Sequence, residues 1–194
     1  MPYPAVFKQR LLLWLHAHPC CAFYDSHQYK HDPFSSHDCI GGCADALMEL
    51  GNSPFASVDA ARAEGKHLFG FFGYDLKNKI ERLHSDKPNR TGFPDACFFA
   101  ADTLVEMKGN SVRINGDSAH RVFEAISNIG LVESNGAAFA LKPEHRTSKK
   151  KYLQTVNALR GHIEAGDFYE FNYCQEFFCN DADVDPLALF ERLS

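Results

Sequence analysis

The chain contains the stretch GDFYEFNYCQEFF, which runs from Gly166 to Phe178. Aromatic and polar side chains alternate along it, and this period of two predicts a β-strand over Phe168–Phe178. One face of the strand would carry Tyr169, Phe171, Tyr173, Gln175 and Phe177, and the other Glu170, Asn172, Cys174 and Glu176. The second face cannot lie unpaired in a dry core, because desolvation of its carboxylates and amide costs too much free energy. We expect it to meet water, a polar element or a ligand cleft, and an exposed sheet face is the simplest of these.

A helix is predicted immediately before this stretch. Tyr152, Val156, Leu159 and Ile163 recur at steps of three and four, so they share one face of a helix. Ser148 can cap its N-terminus, and Gly166 can occupy the position after its C-terminus, where a positive φ is cheapest for glycine.

This helix and the motif that follows it resemble the segment that opens the chorismate-binding region of aminodeoxychorismate synthase component I (para-aminobenzoate synthase component I). Anthranilate synthase component I and the isochorismate and salicylate synthases belong to the same family. Asn172 followed by Cys174–Phe177 resembles the aminodeoxychorismate branch, since anthranilate synthases usually carry Val-Pro-Ser or Val-Leu-Ser there. A second landmark, FGYDLKNKIE from Phe72 to Glu81, resembles a conserved segment of the N-terminal part of these enzymes.

The resemblance implies an α+β fold of the anthranilate synthase component I type, with packed, mostly antiparallel sheets and outer helices. Residues 1–142 would form the N-terminal component I domain, and residues 143–194 the start of the chorismate-binding domain. The family's catalytic motifs and magnesium-binding glutamates are not recognisable in these 194 residues. We therefore expect a truncated, N-terminal fragment that is inactive alone and contains no catalytic residue.

The reaction implied for the intact enzyme is amination of chorismate to 4-amino-4-deoxychorismate, on the route to p-aminobenzoate and folate. The implied cofactor is magnesium, for which this chain supplies no ligand. The implied partner is a glutamine amidotransferase subunit, component II, that supplies ammonia.

A ligand pocket is also implied near the first strand. Phe23–Ser26 resembles a strand end that contributes a serine to a tryptophan pocket in the family. Ser26 would take that role here, with Tyr169 or Asn172 from the last strand. The alternative for Ser26 is an Asp-Ser turn that bonds its own backbone. Two alternative functions follow, namely a stand-alone, non-catalytic tryptophan-type ligand-binding domain and a fragment of anthranilate synthase component I.

Composition excludes several other classes of protein. The net charge of −5 and pI near 6.0 argue against a nucleic-acid or anionic-membrane surface. Seven irregularly spaced cysteines suggest reduced thiols and a cytoplasmic location rather than a disulfide framework. The apolar run Leu11–Leu15 is shorter than the roughly 7–15 residues of a signal-peptide core. A His/Cys metal site is a weaker alternative, because Cys39 and Cys43 stand alone at their spacing.

The remaining elements are predicted from periodicity and from turn residues. A helix is expected over 4–18, with one side formed by Phe7, Leu11, Trp14, Leu15 and His18. Further helices are expected over 54–64, with Ser53 as cap, and over 120–129. Strands are expected over 20–24, 39–47, 67–74, 96–107, 111–115 and 137–141.

Overall fold

The computed structural model describes residues 3–27, 29, 37–84, 86, 88–131, 141–180 and 182–194. The chain divides into two compact units, Met1–Val132 and Glu133–Ser194. The predicted division into functional domains at residue 142 stays a prediction. Within the described parts of the chain, no helix combines the length and apolar character needed to cross a membrane.

The described residues combine helices with antiparallel strands, which confirms the predicted α+β class. The helices are α1 (Tyr3–His16), α2 (Pro54–Ala63), α3 (Lys77–Ile80), α4 (Ala119–Ser127), α5 (Lys149–Ala165) and α6 (Pro186–Leu193). The strands are β1 (Cys20–Asp25), β2 (Cys39–Ala44), β3 (Leu68–Phe72), β4 (Ala96–Ala100), β5 (Thr103–Lys108), β6 (Ser111–Asn115), β7 (Glu144–His145) and β8 (Phe177–Phe178).

The first unit contains a four-stranded antiparallel sheet in the order β1-β2-β5-β6 and a two-stranded antiparallel sheet, β3-β4. Helices α1 and α4 cover one face of the four-stranded sheet, and β3-β4 packs against its other face. The four-stranded sheet is therefore the middle layer of this unit. The segment around Ser26 follows directly after β1, which is an edge strand of this sheet.

The helical layer is fixed by apolar residues at steps of four in α1. Phe7, Leu11 and Leu15 are 2%, 0% and 1% exposed, and they pack with Val105 of β5 and Ile126 of α4. Full burial of each such side chain contributes about 1.5–3 kcal/mol of stability. The predicted apolar face of α1 is thus confirmed as a core face.

Two consecutive glycines of β2 allow both outer layers to approach the middle sheet. Successive residues of a strand point to opposite faces. A Cβ on Gly41 would collide with the Leu15 side chain of α1, and a Cβ on Gly42 would collide with the Phe69 ring of β3. Close packing on both faces of β2 therefore requires this glycine pair.

Three predicted elements of the first unit need correction. The strand expected over 96–107 is two strands, because Ala101 N–H donates to the His67 carbonyl (2.8 Å) and Asp102 N–H donates to the Cys43 carbonyl (3.0 Å). Adjacent residues therefore bond to different sheets. Strand β2 ends at Ala44 rather than at 47. Ser53 precedes α2 but its side chain makes no capping bond.

The second unit is built around α5, and both of its predicted caps are confirmed. The Ser148 hydroxyl accepts a hydrogen bond from Lys151 N–H at 3.3 Å. Gly166 ends the helix with φ 82°, a left-handed conformation that favours glycine. The expected strand over 137–141 lies outside the described residues, apart from Leu141, which is not in a strand.

The strand predicted over 168–178 is wrong for most of its length. Only Phe177–Phe178 form a strand, which pairs with Glu144–His145. A strand is stable only where a neighbour accepts its backbone hydrogen bonds, and this neighbour supplies two residues. The segment 167–176 is irregular, and contacts of its side chains, rather than a strand ladder, keep it in place.

Candidate functional site

The end of β1 carries a buried carboxylate. The Asp25 side chain is 4% exposed and pairs with the Lys8 ammonium of α1. The backbone N–H of His27 donates to Asp25 Oδ1 at 2.9 Å, and the His27 ring nitrogen Nδ1 lies 3.8 Å from Asp25 Oδ2. Asp25 therefore ties α1 to the strand and shapes the turn that follows.

Ser26 occupies the first position of this turn. Its N–H donates to the Asp38 carbonyl at 2.9 Å, and its carbonyl accepts from Tyr29 N–H at 2.8 Å. The residue is half-buried. The local turn weighed as the alternative for Ser26 is thus present, and a role of the hydroxyl toward a ligand stays a prediction.

A cavity of about 290 Å³ lies between the two sheets, close to this strand end. Tyr24, two residues before Ser26, contributes to its wall. The Tyr24 ring stacks on Phe69 at 5.9 Å between centroids, and Phe69 stacks on Phe99 at 5.4 Å. The remaining lining residues are Ile40, His67, Leu68, Gly70, Phe98 and Leu104. An apolar, aromatic wall of this kind suits a flat apolar group.

The Cys39 thiol at the start of β2 is held in its protonated form. Burial, aided by the carboxylates of Asp25 and Asp38, raises the pKa of Cys39 to about 12, although Lys8 opposes the shift. Cys39 is therefore a protonated thiol of the buried core.

In the second unit, the motif begins at a well-defined turn. His162 Nδ1 and Asp167 Oδ2 are 2.6 Å apart across the end of α5. The ring of Phe168 stacks against the His162 ring, with 6.0 Å between centroids, and lies tilted against the Phe171 ring at 5.7 Å. These contacts fold the chain back after Gly166.

The other end of the motif is anchored to the segment before α5. Gln175 Nε2 donates to the Thr147 carbonyl at 2.9 Å. The Arg146 guanidinium lies 3.2 Å from Glu176 Oε2 and covers the Phe178 ring at 3.5 Å. Sequence reasoning used Gln175 and Glu176 only as markers of a family branch, whereas their side chains hold the motif in place.

Between these anchors the polar row predicted from the sequence is exposed. Glu170, Asn172, Cys174 and Glu176 are all exposed, and Tyr169 is 94% exposed. The prediction that this face avoids a dry core is therefore confirmed. Ser26 belongs to the first unit, whereas Tyr169 and Asn172 belong to the second, so a pocket shared by the three residues stays a prediction.

Loss of the Gln175 anchor is expected to loosen this end of the motif. In Gln175→Ala the Thr147 carbonyl loses its donor, at a cost of about 1 kcal/mol. Hydrogen exchange of the Arg146 and Phe177 amides should accelerate about fivefold. Glu170→Ala, a change at an exposed position of the same segment, is the control and should leave these rates unchanged. Equal rates in Gln175→Ala and the unchanged chain would contradict the anchoring role.

Magnesium stays a prediction for the intact enzyme. Within the described ranges, no three His, Cys, Asp or Glu side chains come together as a group that could hold a metal ion. Magnesium is usually bound in proteins through one or two carboxylates and several waters. We assign no step of a reaction to a metal held by the described residues.

Comparison with known proteins places this geometry in a family. The family model of chorismate binding enzymes matches residues 28–194. The chain is also 26% identical to anthranilate synthase component 1 of Mycolicibacterium smegmatis (strain ATCC 700084 / mc(2)155), over 65% of this chain and 28% of that protein. The matched part of the chain therefore spans little more than a quarter of the length of this relative. With the family model covering most of its residues, the chain belongs to the chorismate-binding enzyme family.

Proposed function

We propose that the protein containing this chain aminates chorismate to 4-amino-4-deoxychorismate, the reaction of aminodeoxychorismate synthase component I. Membership of the chorismate-binding family supports chorismate as the substrate. The aminodeoxychorismate branch rests on the motif around Asn172 and Gln175–Glu176. The product would serve the synthesis of p-aminobenzoate and folate.

The observation that carries this proposal is the anchoring of the motif at both ends. Gly166 turns the chain out of α5, and Gln175 bonds back to Thr147 just before the same helix. The residues between them are held with their polar side chains exposed. Exposed carboxylate and amide groups, in an irregular segment that is anchored at both ends, are available to a polar ligand, and the anchors reduce the ordering needed when the ligand binds.

The proposal assigns the chemical step to residues outside 1–194. No residue of this chain is proposed as catalytic. Magnesium and a glutamine amidotransferase that supplies ammonia complete the proposed enzyme, and both are expectations for the whole protein. This chain would contribute its N-terminal unit and the helix and motif at the start of the chorismate-binding region.

Anthranilate synthesis is the nearest alternative, because the relative named above is an anthranilate synthase component. Deletion of the gene distinguishes the two branches. We expect the deleted strain to require p-aminobenzoate and to grow without tryptophan. A strain rescued by tryptophan or anthranilate, and not by p-aminobenzoate, would assign the chain to the anthranilate branch.

A second candidate function, a tryptophan-type ligand-binding domain, is favoured by the cavity beside Tyr24. The stacked rings of Tyr24 and Phe69 offer an aromatic wall, and Ser26 follows at the strand end. In that case tryptophan should bind saturably in calorimetry, and Tyr24→Ala should weaken binding about tenfold by removing the stacking partner. Tyr74→Ala, at an 83% exposed tyrosine outside the cavity wall, is the matched control. Absence of saturable binding would reject this function and leave the chorismate proposal untouched.

A further inference from the structure

Two cysteines face each other across the edge of the four-stranded sheet. The register of β1 and β2 places Cys21 directly opposite Cys43. The neighbouring Cys20 is opposite Ala44, and Cys39 is opposite Asp25. Among the described strands, Cys21 and Cys43 are therefore the one cysteine pair that a ladder brings together.

The hydrogen-bond pattern shows that this pair is of the more closely spaced kind. The Cys43 carbonyl accepts from Asp102 N–H at 3.0 Å, so its backbone groups point toward β5 and away from β1. Ser26 N–H donates to the Asp38 carbonyl. Backbone groups that point toward β2 recur at every second residue of β1 counted back from Ser26, so those of Cys21 point away from β2. Cα atoms of such non-hydrogen-bonded pairs are about 4.5 Å apart, within the roughly 4.4–6.8 Å that a disulfide spans.

The surroundings give the two thiols different access to solvent. Cys21 is exposed, whereas Cys43 is 3% exposed and belongs to the core between the sheet and α1. Burial raises the pKa of Cys43 to about 11, and the nearby Asp102, Cys21 and Asp45 add to the shift. Burial, with Cys20 adjacent, also raises the pKa of Cys21. A dissolved oxidant can thus reach the Cys21 thiol, whereas burial shields the Cys43 thiol from the solvent and leaves Cys21 as its reaction partner.

We propose that Cys21 and Cys43 form a reversible cross-strand disulfide that fixes the edge strand β1 to β2. This inference is independent of the proposed catalytic function. Its consequence for the fold is local, since β1 also carries Tyr24 at the cavity and Asp25 at the ion pair with Lys8. Oxidation would hold this wall of the cavity more rigidly.

The oxidant is a low-molecular-weight disulfide such as glutathione disulfide. The Cys21 thiolate attacks one of its sulfurs, the small disulfide bond breaks, and the first glutathione leaves as a thiolate that takes up a proton. The Cys43 thiolate then attacks Cys21 Sγ and expels the second glutathione in the same way. Two protein thiols are oxidised, one small disulfide is reduced to two thiols, and a reducing dithiol reverses the exchange.

The test is oxidation of the reduced 194-residue protein with glutathione disulfide at about pH 8.5, where thiolates are more abundant. Digestion should link the peptides that contain Cys21 and Cys43, and the linked pair should weigh about 2 Da less than the two reduced peptides together. Glutathione added to the exposed Cys174 would appear on a separate peptide. The melting temperature should rise by roughly 5–10 °C, because the bridge closes a loop of chain.

Cys21→Ser should abolish the mass loss and the thermal shift, and its exposed position makes a folding defect unexpected. Cys20→Ser is the matched control at the adjacent position and should retain both effects. A lasting glutathione adduct on Cys21, with the Cys43 thiol still reduced, would overturn the proposal. A cross-link that survives Cys21→Ser, or one that disappears in Cys20→Ser, would also overturn it.

Discussion

Residues 1–194, produced on their own, are expected to convert no measurable chorismate when ammonium and magnesium are supplied. The catalytic motifs of the family are not recognisable in this sequence, and no cluster of three or more potential metal ligands forms among the residues that the structure describes. Loss of positioned charge stabilisation removes the largest single contribution to most enzymatic rates. The rate should therefore equal that of chorismate in buffer, followed by chromatography of the reaction mixture.

The native gene product, with the subunits that copurify with it, is the positive control for this experiment. It should form an amino derivative of chorismate under the same conditions. Steady formation of that derivative by residues 1–194 alone, above the buffer rate and abolished by heating, would show that the chain contains catalytic groups that the present account misses.

Gly42→Ala is expected to destabilise the first unit by about 1–3 kcal/mol, the usual cost of overpacking a close-packed interior. The new methyl group would overlap the Phe69 ring, which is itself stacked between Tyr24 and Phe99 and so has little room to move. The cavity wall should shift with it. The single tryptophan, Trp14, packs against the core of this unit, so its fluorescence during urea unfolding reports the first unit selectively.

Gly130→Ala is the matched control for this substitution, because no atom lies within 4 Å of the added Cβ. Its unfolding midpoint should stay close to that of the unchanged chain. If Gly42→Ala unfolds at the same urea concentration as Gly130→Ala, the close approach of β3 to β2 is not a feature of the folded protein.

Local features of the fold could be predicted well from sequence. The buried face of α1, the cap at Ser148 and the glycine at 166 depend on residues close together in the chain, and each occurs as predicted. These features follow from helical periodicity and from the conformational freedom of glycine. The α+β class follows from the same local patterns.

Features that depend on distant partners could not be predicted in the same way. The aromatic–polar alternation of 168–178 predicts a strand, but strand formation depends on a neighbour, and only two residues find one. The single strand expected over 96–107 divides because Ala101 and Asp102 bond to different sheets. The alternation of apolar and polar residues predicts which face of a strand each side chain occupies, but it does not predict which strand will be the pairing partner.

In the candidate site, too, local features could be predicted from the sequence and contacts between distant segments could not. The sequence identified Ser26 and the motif around Asn172, and it predicted correctly that the polar row avoids a dry core. It missed the pairing of Asp25 with Lys8 and the bond from Gln175 to Thr147, since each joins segments separated along the chain. The available signal for the ion pair was Asp25 itself, an acidic residue at the end of a predicted strand, because a carboxylate that becomes buried there needs a cationic partner. For Gln175 no sequence signal was available.

The identity of the aminated product distinguishes aminodeoxychorismate synthesis from anthranilate synthesis. The native gene product should be incubated with chorismate, ammonium and magnesium, and the products should be identified by mass spectrometry before and after addition of an aminodeoxychorismate lyase. We expect 4-amino-4-deoxychorismate, which the lyase converts to p-aminobenzoate. Formation of anthranilate instead, without any need for the lyase, would contradict it.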